Sequence, residues 1–282
     1  MENNERPLIL FTNDDGIDSP GLWVVVKAFE GLGDLLVVAP REQQSGMARS
    51  MPSFSKGKLY EWKLPFEIAR CRAFAADGTP AQTVQHGILE LSHRKPSLVV
   101  SGINYGDNTG NGVTISGTVG AALEAASFGI AAMAVSQQTP FDLHLSYSDD
   151  VDFSTAAHFT RKFGEFMIHH DTLPDDVDVL KIDVPWQASV DVEWRMTRVS
   201  RRRVYWPTRP ERTSLKGTGK LGYHFKADPS NAEPDSDVYA LMHDKVVAVT
   251  PMSLDMTSRT DMFRLRQILA GKQVYGSTQE AD

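Results

Sequence analysis

The chain has 282 residues, of which 41% are hydrophobic and 23% are charged, a composition that argues against a disordered or fibrous protein. Its formal net charge of −7 argues against a nucleic-acid polymer as the main partner, because contact with a phosphate backbone needs a basic surface. The single cysteine, Cys71, excludes an intramolecular disulfide and fits a reducing compartment.

In chain order, the sequence begins with a polar segment, MENNERP, that lacks the apolar centre of a signal peptide. No stretch of the chain approaches the run of about 18 apolar residues that a membrane-spanning helix needs. We therefore predict a cytoplasmic protein without a membrane partner.

Strand and helix patterns then alternate through the first 136 residues. Leu8–Phe11 is a continuous apolar run, typical of a parallel strand covered on both faces, and Ser19-Pro20 marks the start of a helix. More elements follow: strands at 35–40, 98–100 and 130–135, a helix from Thr79-Pro80, and a helix from Ser116 to about Phe128. Strand–helix–strand units of this length predict an α/β fold with a parallel sheet and right-handed crossovers.

The remainder of the chain is less regular. The segment from Arg49 to Phe74 interrupts the alternation and is predicted to form a hairpin-like excursion, and the polar segment 200–234 is predicted to form a longer excursion or arm. The later elements are a helix at 150–170, a strand at 177–184, an alternating stretch at 192–199, a late strand at 246–250 and a closing helix at 257–269. These patterns predict one domain in three parts: an α/β core over about 8–190, an arm with the late strand over about 191–255, and a C-terminal helix and tail over about 256–282.

Oxygen-bearing side chains follow three of the predicted strands. Asp14 and Asp15, which we call the acid pair, come directly after the first strand, and Ser45 lies in the loop after the second. The stretch SGINYGDNTGNG, which contains Asn104, follows the third. Since ligands bind outside the carboxyl ends of parallel strands, we expect these side chains to lie close together.

The acid pair brings two like charges together at the end of a buried strand. A hard divalent cation such as Mg²⁺ or Mn²⁺, which prefers oxygen ligands, would relieve this repulsion. The alternative is that one of the two acids caps the following helix or forms an Asx-turn. A thiolate or multi-histidine site is not supported, because the one cysteine and eight histidines lack metal-ligand spacing.

The sequence ISGTVGAALEAA predicts a helix whose first residues, Ser116, Gly117 and Thr118, lie at the same edge of the sheet. The free N–H groups of such a helix start bind phosphate. Plain N-capping by Ser116 explains the same residues without a ligand. No GxGxxG or GxxxxGK[ST] motif is present, so neither a dinucleotide-binding loop nor an ATP-binding loop is predicted.

Four stretches together resemble the SurE family, the survival-protein nucleotidases: ILFTNDDGIDSPG, VVAPREQQSG, VVSGINYGDNTGNGVTISGTVGAALEA and DSDVYALMHDKVVAVTPM. The resemblance implies a Rossmann-like α/β core, with an extended hairpin and a C-terminal arm that exchange between subunits of a homodimer or homotetramer. It also implies a metal-dependent phosphomonoesterase that releases phosphate from nucleoside 5′- and 3′-monophosphates.

The resemblance further implies the residues of the site. One divalent cation per subunit, Mg²⁺ or Mn²⁺, would be held by four oxygen ligands: Asp14, Asp15, Ser45 and Asn104. The substrate phosphate would lie along four residues: Asn108, Ser116, Gly117 and Thr118. The candidate catalytic residues are Asp14, Asp15 and Asn108. We hypothesise that water attacks phosphorus with help from the acid pair, and direct attack by a carboxylate is the alternative.

Some positions depart from the commoner family pattern. Asp107 precedes Asn108 where the family often has a proline, and we expect its carboxylate to face solvent rather than to enter the outer shell of the metal. Arg201–Arg203 are expected to be solvated or to contact a second subunit rather than to recruit substrate. Tyr205 and Trp206 are expected to pack in an interface rather than to stack on a base.

Two other functions stay open at this point. One is a metal-dependent transferase that uses a nucleotide-linked donor on the same type of sheet. The other is a non-enzymatic, nucleotide-binding oligomeric regulator, against which the intact set of oxygen ligands argues.

Overall fold

The computed structural model describes residues 6–144, 147–148, 150–170, 173–226 and 228–272. Its strands are β1 (Leu8–Thr12), β2 (Asp34–Pro40), β3 (Leu59–Glu61), β4 (Cys71–Ala76), β5 (Leu98–Tyr105), β6 (Ala132–Gln137), β7 (Val179–Val184), β8 (Trp194–Met196), β9 (Tyr205–Thr208), β10 (Gly222–Phe225) and β11 (Val247–Met252). Its α-helices are α1 (Pro20–Ala28), α2 (Pro80–His86), α3 (Gly117–Ser127), α4 (Ser154–His169) and α5 (Met262–Leu269).

Nine of these strands form one sheet, in the order β3-β4-β2-β1-β5-β6-β7-β11-β8. The pairs from β4 to β7 are parallel, whereas β3 runs antiparallel to β4 and β11 runs antiparallel to β7. The strands β9 and β10 form a separate antiparallel hairpin. The predicted α/β fold with a mostly parallel sheet is therefore confirmed.

The first strand, β1, lies inside the sheet and is buried on both faces. Ile9 and Phe11 pack on one side in a cluster with residues of α1 and α4, whereas Leu8 and Leu10 pack on the other side with residues of α3. Truncation of the fully buried Phe11 to alanine would cost about 3–5 kcal/mol of stability. The apolar run LILF thus anchors the strand that leads into the acid pair.

The helix starts predicted from capping residues are confirmed. Pro20 is the first residue of α1 and follows Ser19. At the start of α2, the N–H of Gln82 donates to Thr79 Oγ1 over 3.2 Å, and the N–H of Thr79 donates to Gln82 Oε1 over 3.1 Å. This capping box satisfies two N–H groups that a helix start otherwise leaves without partners. Ser116 takes the N-cap position of α3.

The strand β5 continues well beyond the predicted 98–100, so Asn104 lies in the strand and not in the loop where we predicted it. The pairing of β5 with β6 shifts register between Ser101 and Asn104. A Cβ atom on Gly102, whose φ is +134°, would lie 2.3 Å from the carbonyl oxygen of Val135 in β6. The glycine that signals a loop in the sequence therefore marks a bulge where two backbones approach closely.

The predicted excursion between Arg49 and Phe74 is only partly an excursion. It contains β3, which pairs with β4 in an antiparallel hairpin. The strand β4 also pairs in parallel with β2, so it is a member of the main sheet that the sequence did not reveal. Its sequence pattern is weak because the buried residues Ala73 and Ala75 alternate with the apolar, half-buried Phe74 and not with a polar residue.

Most of the later predictions match the structure in type. The helix predicted at 150–170 is α4, the strand predicted at 177–184 is β7, and the polar segment 200–234 contains the β9–β10 hairpin. The closing helix, predicted at 257–269, is the shorter α5, and it has no buried residue. The predicted tail over 273–282 lies outside the described residues.

None of the helices in the described ranges is long and apolar enough to cross a bilayer. The first five residues of the MENNERP segment lie outside the described residues. The three-part domain boundaries and the cytoplasmic location stay predictions.

Candidate functional site

The acid pair lies at the carboxyl end of β1 and is almost fully buried, with Asp14 4% and Asp15 2% exposed. Asp14 Oδ1 accepts a hydrogen bond from the hydroxyl of Thr118 in α3 over 2.6 Å. Asp15 Oδ2 accepts one from the backbone N–H of Tyr105 in β5 over 3.1 Å. The two acids are therefore held from different sides by different elements.

Neither acid takes the capping role that was the alternative explanation for the pair. The turn after β1 is closed by Asn13, whose Oδ1 accepts from the N–H of Gly16 over 3.1 Å and whose Nδ2 donates to the Gly16 carbonyl over 2.9 Å. Asn13 thus supplies the Asx-turn. The carboxylates of the acid pair are directed elsewhere, toward Thr118 and Tyr105.

Burial raises the pKa of Asp14, although the Thr118 hydroxyl and the N–H groups of Gly117 and Thr118 act in the opposite direction. Burial, and then the negative charge of Asp14, raise the pKa of Asp15 well above its usual range. Among the described residues, neither carboxylate forms an ion pair with a lysine, arginine or histidine side chain. The site therefore holds buried negative charge that lacks a cationic side chain, the environment that favours binding of a cation.

The loop after β2, which contains Ser45, is bound to the acid pair. The N–H of Gln44 donates to the carbonyl of Asp14 over 2.7 Å, and Gln43 Nε2 donates to Asp15 Oδ1 over 3.2 Å. Ser45 itself is exposed and directly follows these two anchored residues. The structure thus brings the loop of the third predicted ligand to the acid pair.

The same loop is fastened to α3 at its far end. Arg49 Nε lies 2.6 Å from Oε2 of Glu124, a buried residue that is 4% exposed. A Cβ atom on Gly120 would lie 2.2 Å from the carbonyl oxygen of Ala48, so only glycine at this position lets the loop lie directly on the helix. The position of Ser45 is consequently set by contacts on both sides of it.

Asn104, the fourth predicted ligand, is 9% exposed. Its Nδ2 atom donates to the carbonyl oxygen of Gly106 over 2.7 Å and to that of Tyr105 over 3.2 Å. Because these bonds engage the nitrogen, Oδ1 is the amide atom that suits a cation. Two carboxylates, a hydroxyl and an amide oxygen form the kind of oxygen set that Mg²⁺ and Mn²⁺ prefer.

The start of α3 faces the carboxylate of Asp14. A Cβ atom on Gly117 would lie 2.8 Å from Asp14 Oδ2, so glycine is needed for this approach. The Thr118 hydroxyl is bound to Asp14, and Ser116 Oγ accepts from the N–H of Val119 over 3.1 Å. The N-capping alternative at Ser116 therefore occurs, and the helix start also lies against the carboxylate of Asp14.

Asn108 lies farther along the same edge of the sheet and is half-buried. Its Nδ2 donates to Ser136 Oγ over 2.8 Å, and its backbone N–H donates to Asp183 Oδ1 over 2.8 Å. The ends of β6 and β7 therefore hold the loop that carries it.

The prediction that Asp107 faces solvent is wrong, because its side chain is buried and only 6% exposed. Asp107 Oδ1 accepts from the hydroxyl of Tyr205 over 3.0 Å, and Oδ2 accepts from the hydroxyl of Thr109 over 2.6 Å. These two donors compensate the cost of burying the carboxylate. The bond from Tyr205 also ties the β9–β10 hairpin to the loop that contains Asp107 and Asn108.

The segment that carries the arginines and aromatics lies next to the site. Arg201–Arg203 are exposed, as expected. Tyr205 packs within its own chain, where its ring contacts those of His144, Tyr223 and Phe225. Trp206 is 43% exposed, and Arg203 and Lys226 lie over its ring at 5.7 and 5.9 Å.

The sequence analysis missed a buried charged cluster formed by Lys181, Asp183 and Asp237, all of which are 0% exposed. The signal was present in the strand VLKIDV, where a lysine and an aspartate stand two positions apart and therefore share one face of an otherwise apolar strand. Asp237 arrives from a distant segment, so the strand pattern alone does not identify it.

These observations define a class of α/β protein in which an acidic, oxygen-rich site lies at the carboxyl edge of a mostly parallel sheet. The profile of the family described as "Survival protein SurE" matches residues 9–205. The chain belongs to the SurE family.

Proteins named 5′-nucleotidase SurE match nearly the whole chain. The protein named 5′-nucleotidase SurE from Thermococcus gammatolerans is 39% identical over 272 residues, which cover 94% of this chain and 97% of the relative. The protein of the same name from Thermococcus kodakarensis is 35% identical over 263 residues, which cover 93% and 98%. The crystal structure of the SurE protein from Aquifex aeolicus aligns with a TM-score of 0.73 at 28% identity and covers 93% of this chain and 100% of that one.

Proposed function

We propose that this protein is a metal-dependent phosphomonoesterase that releases phosphate from nucleoside 5′- and 3′-monophosphates. The observation that carries the proposal is the buried acid pair, which is held by donors from α3 and β5 but has no cationic side chain bound to it among the described residues. The relatives named 5′-nucleotidase SurE support the 5′-nucleotidase activity. Hydrolysis at the 3′ position rests on the family resemblance alone.

One divalent cation per subunit, Mg²⁺ or Mn²⁺, would be held by four oxygen ligands: Asp14, Asp15, Ser45 and Asn104. The donor set fits such an ion, because all four ligands offer oxygen and two of them are buried carboxylates. When bound, the cation supplies charge neutralisation and Lewis acidity at the phosphoryl group.

The chain's own residues bind and orient the phosphate. Ser116, Gly117 and Thr118 place the positive end of the α3 helix dipole toward its oxygens, which favours an anion there, while the N–H groups of Gly117 and Thr118 bind the Asp14 carboxylate. The amide of Asn108 is a donor, and it stabilises charge on the phosphoryl oxygens as the ester bond breaks. A carboxylate of the acid pair accepts the proton of the attacking water, and Thr118 and the N–H of Tyr105 keep the two carboxylates in place.

An aromatic cluster beside the acid pair provides a surface for the nucleoside base. Gln43 Nε2 lies 3.2 Å from both Asp15 Oδ1 and the carbonyl oxygen of His144, so His144 adjoins the acid pair. The ring of Phe141 lies 5.4 Å from that of His144 and 5.2 Å from that of Tyr223. Phe141 is 51% and Tyr223 43% exposed, which leaves aromatic surface for a base to stack on.

The protein is proposed to act as a homodimer or homotetramer. The helix α5 buries none of its residues, and its apolar side chains are among the most exposed of the described residues. Phe263 is 70% and Leu269 79% exposed. Exposed apolar surface of this kind marks a contact with another protein surface, and a second copy of the chain would cover it. Sedimentation equilibrium of wild-type protein and of the variant Phe263→Ser measures this directly.

The decisive test is a phosphate-release screen over nucleoside 5′- and 3′-monophosphates with Mg²⁺, with Mn²⁺ and with EDTA. We expect release with a divalent cation, none with EDTA, and none in Asp15→Ala, whose folding is checked by circular dichroism. Retained turnover in Asp15→Ala contradicts the assignment of the acid pair. Product formation only in the presence of an acceptor would instead identify a transferase, and nucleotide binding without turnover would identify a regulator.

A further inference from the structure

The buried cluster of Lys181, Asp183 and Asp237 is not used by the proposed chemistry, although it lies directly behind the loop that carries Asn108. Lys181 Nζ forms ion pairs with both acids, at 3.1 Å with Asp237 and at shorter range with Asp183. Each of the three side chains is 0% exposed. Burial disfavours the charged form of Lys181, but the two carboxylates outweigh this effect and raise its pKa, so the lysine is a cation in the folded protein.

Both carboxylates of the cluster also bind backbone N–H groups of the Asn108 loop. Asp183 Oδ1 accepts from the N–H of Asn108 over 2.8 Å, and Asp237 Oδ2 accepts from the N–H of Gly110 over 3.1 Å. Asp237 Oδ1 accepts in addition from the N–H of Ser200 over 2.9 Å. Lys181 is therefore connected, through the two carboxylates, to the loop on both sides of Thr109.

Such a cluster is a costly way to hold a strand together. Replacement of a buried ion pair by packed apolar side chains is often neutral or stabilising, so stability alone does not account for a charged triad inside the sheet. The combined negative charge of the two carboxylates exceeds the positive charge of the one lysine. The backbone N–H groups of the loop complete the hydrogen bonding of the carboxylates. The cluster is consequently satisfied only when the loop occupies this one position.

We propose that Lys181 is a positioning residue that holds the Asn108 loop in the geometry needed to stabilise the phosphoryl oxygens as the ester bond breaks. The proposal rests on the proposed phosphomonoesterase function and on the role of Asn108 in it. Loss of the lysine charge leaves Asp183 and Asp237 as two uncompensated neighbours, which separate or take up a proton and release the loop. A displacement of about 1 Å in a catalytic group costs about 100-fold in rate.

The test is a double-mutant cycle of Lys181→Met and Asn108→Ala, measured by phosphate release under saturating cation. We expect Lys181→Met to lower kcat by about 10- to 100-fold, with a KM changed by no more than about threefold. In the Asn108→Ala background, the same lysine substitution should change kcat by less than about threefold, because the side chain through which it acts is already gone. Multiplicative effects, or an unchanged kcat in Lys181→Met, overturn the proposal.

Ile182→Ala is the matched control. Ile182 is the neighbouring residue of β7, it is fully buried, and it faces the opposite side of the sheet in the apolar core. This substitution destabilises the same strand without touching the Asn108 loop, so we expect a lower Tm and an unchanged kcat. A loss of kcat equal to that of Lys181→Met would reduce the lysine effect to general destabilisation and overturn the proposal.

Two further variants cover the case in which Lys181→Met does not fold. Asp183→Asn keeps one acceptor oxygen for the N–H of Asn108 but loses the ion pair with Lys181, whereas Asp183→Leu removes both interactions. We expect Asp183→Asn to lower kcat by less than about tenfold and Asp183→Leu to lower it by about 10- to 100-fold. Equal activity of the two variants overturns the proposal.

Hydrogen exchange separates this proposal from the function on which it rests. The amides of Asn108 and Gly110 should exchange faster in Lys181→Met than in wild type, and should stay protected in Ile182→Ala. If wild-type protein releases no phosphate, the phosphomonoesterase function fails, and the exchange pattern still reports whether Lys181 positions the loop. Wild-type protection in Lys181→Met overturns the positioning itself.

Discussion

Thr118 donates its hydroxyl to Asp14 over 2.6 Å, although the two residues are 104 positions apart in the chain. The bond joins the end of the first strand to the first turn of α3. It orients one carboxylate of the acid pair before any ligand binds, which is the role that hydrogen-bonded neighbours have at metal sites.

Removal of this donor should weaken cation binding. In Thr118→Val, the shape of the side chain is kept and the hydroxyl is lost, so we expect an affinity for Mn²⁺ lower by about 10- to 100-fold. Isothermal titration with Mn²⁺ measures the change. Thr160→Val is the control, since the Thr160 hydroxyl is buried but bonds to the Ala156 carbonyl inside α4, far along the chain from the acid pair. Equal affinities in both variants and wild type would contradict the orienting role.

Gly117 should not tolerate a methyl group. The Cβ atom of Gly117→Ala would lie 2.7 Å from Asp14 Cβ and 2.8 Å from Oδ2, so the carboxylate has to move. We expect phosphate release to fall by at least about tenfold, since misplaced catalytic groups are costly. Gly112→Ala serves as the control, because a Cβ atom there meets nothing within 4 Å. Wild-type activity of Gly117→Ala would argue against a fixed position of Asp14.

Stability should depend on pH through Asp34, a residue at the start of β2 that is remote from the acid pair in the sheet. Hydrogen bonds from Arg70, and then from Arg94, lower the pKa of Asp34 to about 2. The unfolded chain takes up the proton first as pH falls, so this contribution is complete above about pH 4 and is lost as pH falls through about 2.

The variant Asp34→Asn isolates that contribution. We expect it to lower the free energy of unfolding by about 1 kcal/mol at pH 7, since both arginines are partly solvent-exposed. Urea unfolding of wild type and variant at pH 7, 5 and 3 checks the sign, because the difference should shrink at pH 3. A difference that stays constant over this range would mean that the charge of Asp34 is not its source.

The aromatic cluster should affect only substrates that have a base. Phe141→Ala is expected to raise KM for a nucleoside 5′-monophosphate by about tenfold, which corresponds to the loss of one stacking contact. Ribose 5-phosphate, which has the phosphate and sugar but no base, should show no change. Phe166→Ala is the matched control, because Phe166 on α4 is 47% exposed and stacks on His170 instead. An equal loss for both substrates would contradict base stacking at this cluster.

Local patterns in the sequence predict most of the sheet. The proline at 20 and the capping residues Thr79 and Ser116 act through contacts within a few residues, and the run LILF indicates a strand by its continuous apolar character. The structure confirms the elements that these patterns predict. The edge of the sheet follows from the parallel order of the strands, which is why the loops of Asp14 and Ser45 meet.

The rest depends on contacts between distant segments. Gly102 looks like a loop residue until the close approach of β6 is known. Asp107 is buried because a tyrosine from residue 205 bonds to it, and Lys181 is compensated by an aspartate from residue 237. The sequence pattern around Asp107 or Lys181 does not identify the residue that bonds to its side chain. Periodicity indicates on which face of an element a residue lies, but not which distant segment packs on that face.

The position of Asp237 late in the chain also determines whether the protein can be truncated. Every proposed ligand of the cation and the phosphate lies before residue 119, so a fragment ending near residue 190 would carry the complete set. It would nevertheless leave Lys181 and Asp183 without Asp237, and β7 without its antiparallel neighbour β11. The final third of the polypeptide is thus needed to hold the site together. A truncated product would keep every proposed ligand but lose the contacts of Asp237 and β11 that support the sheet beside them.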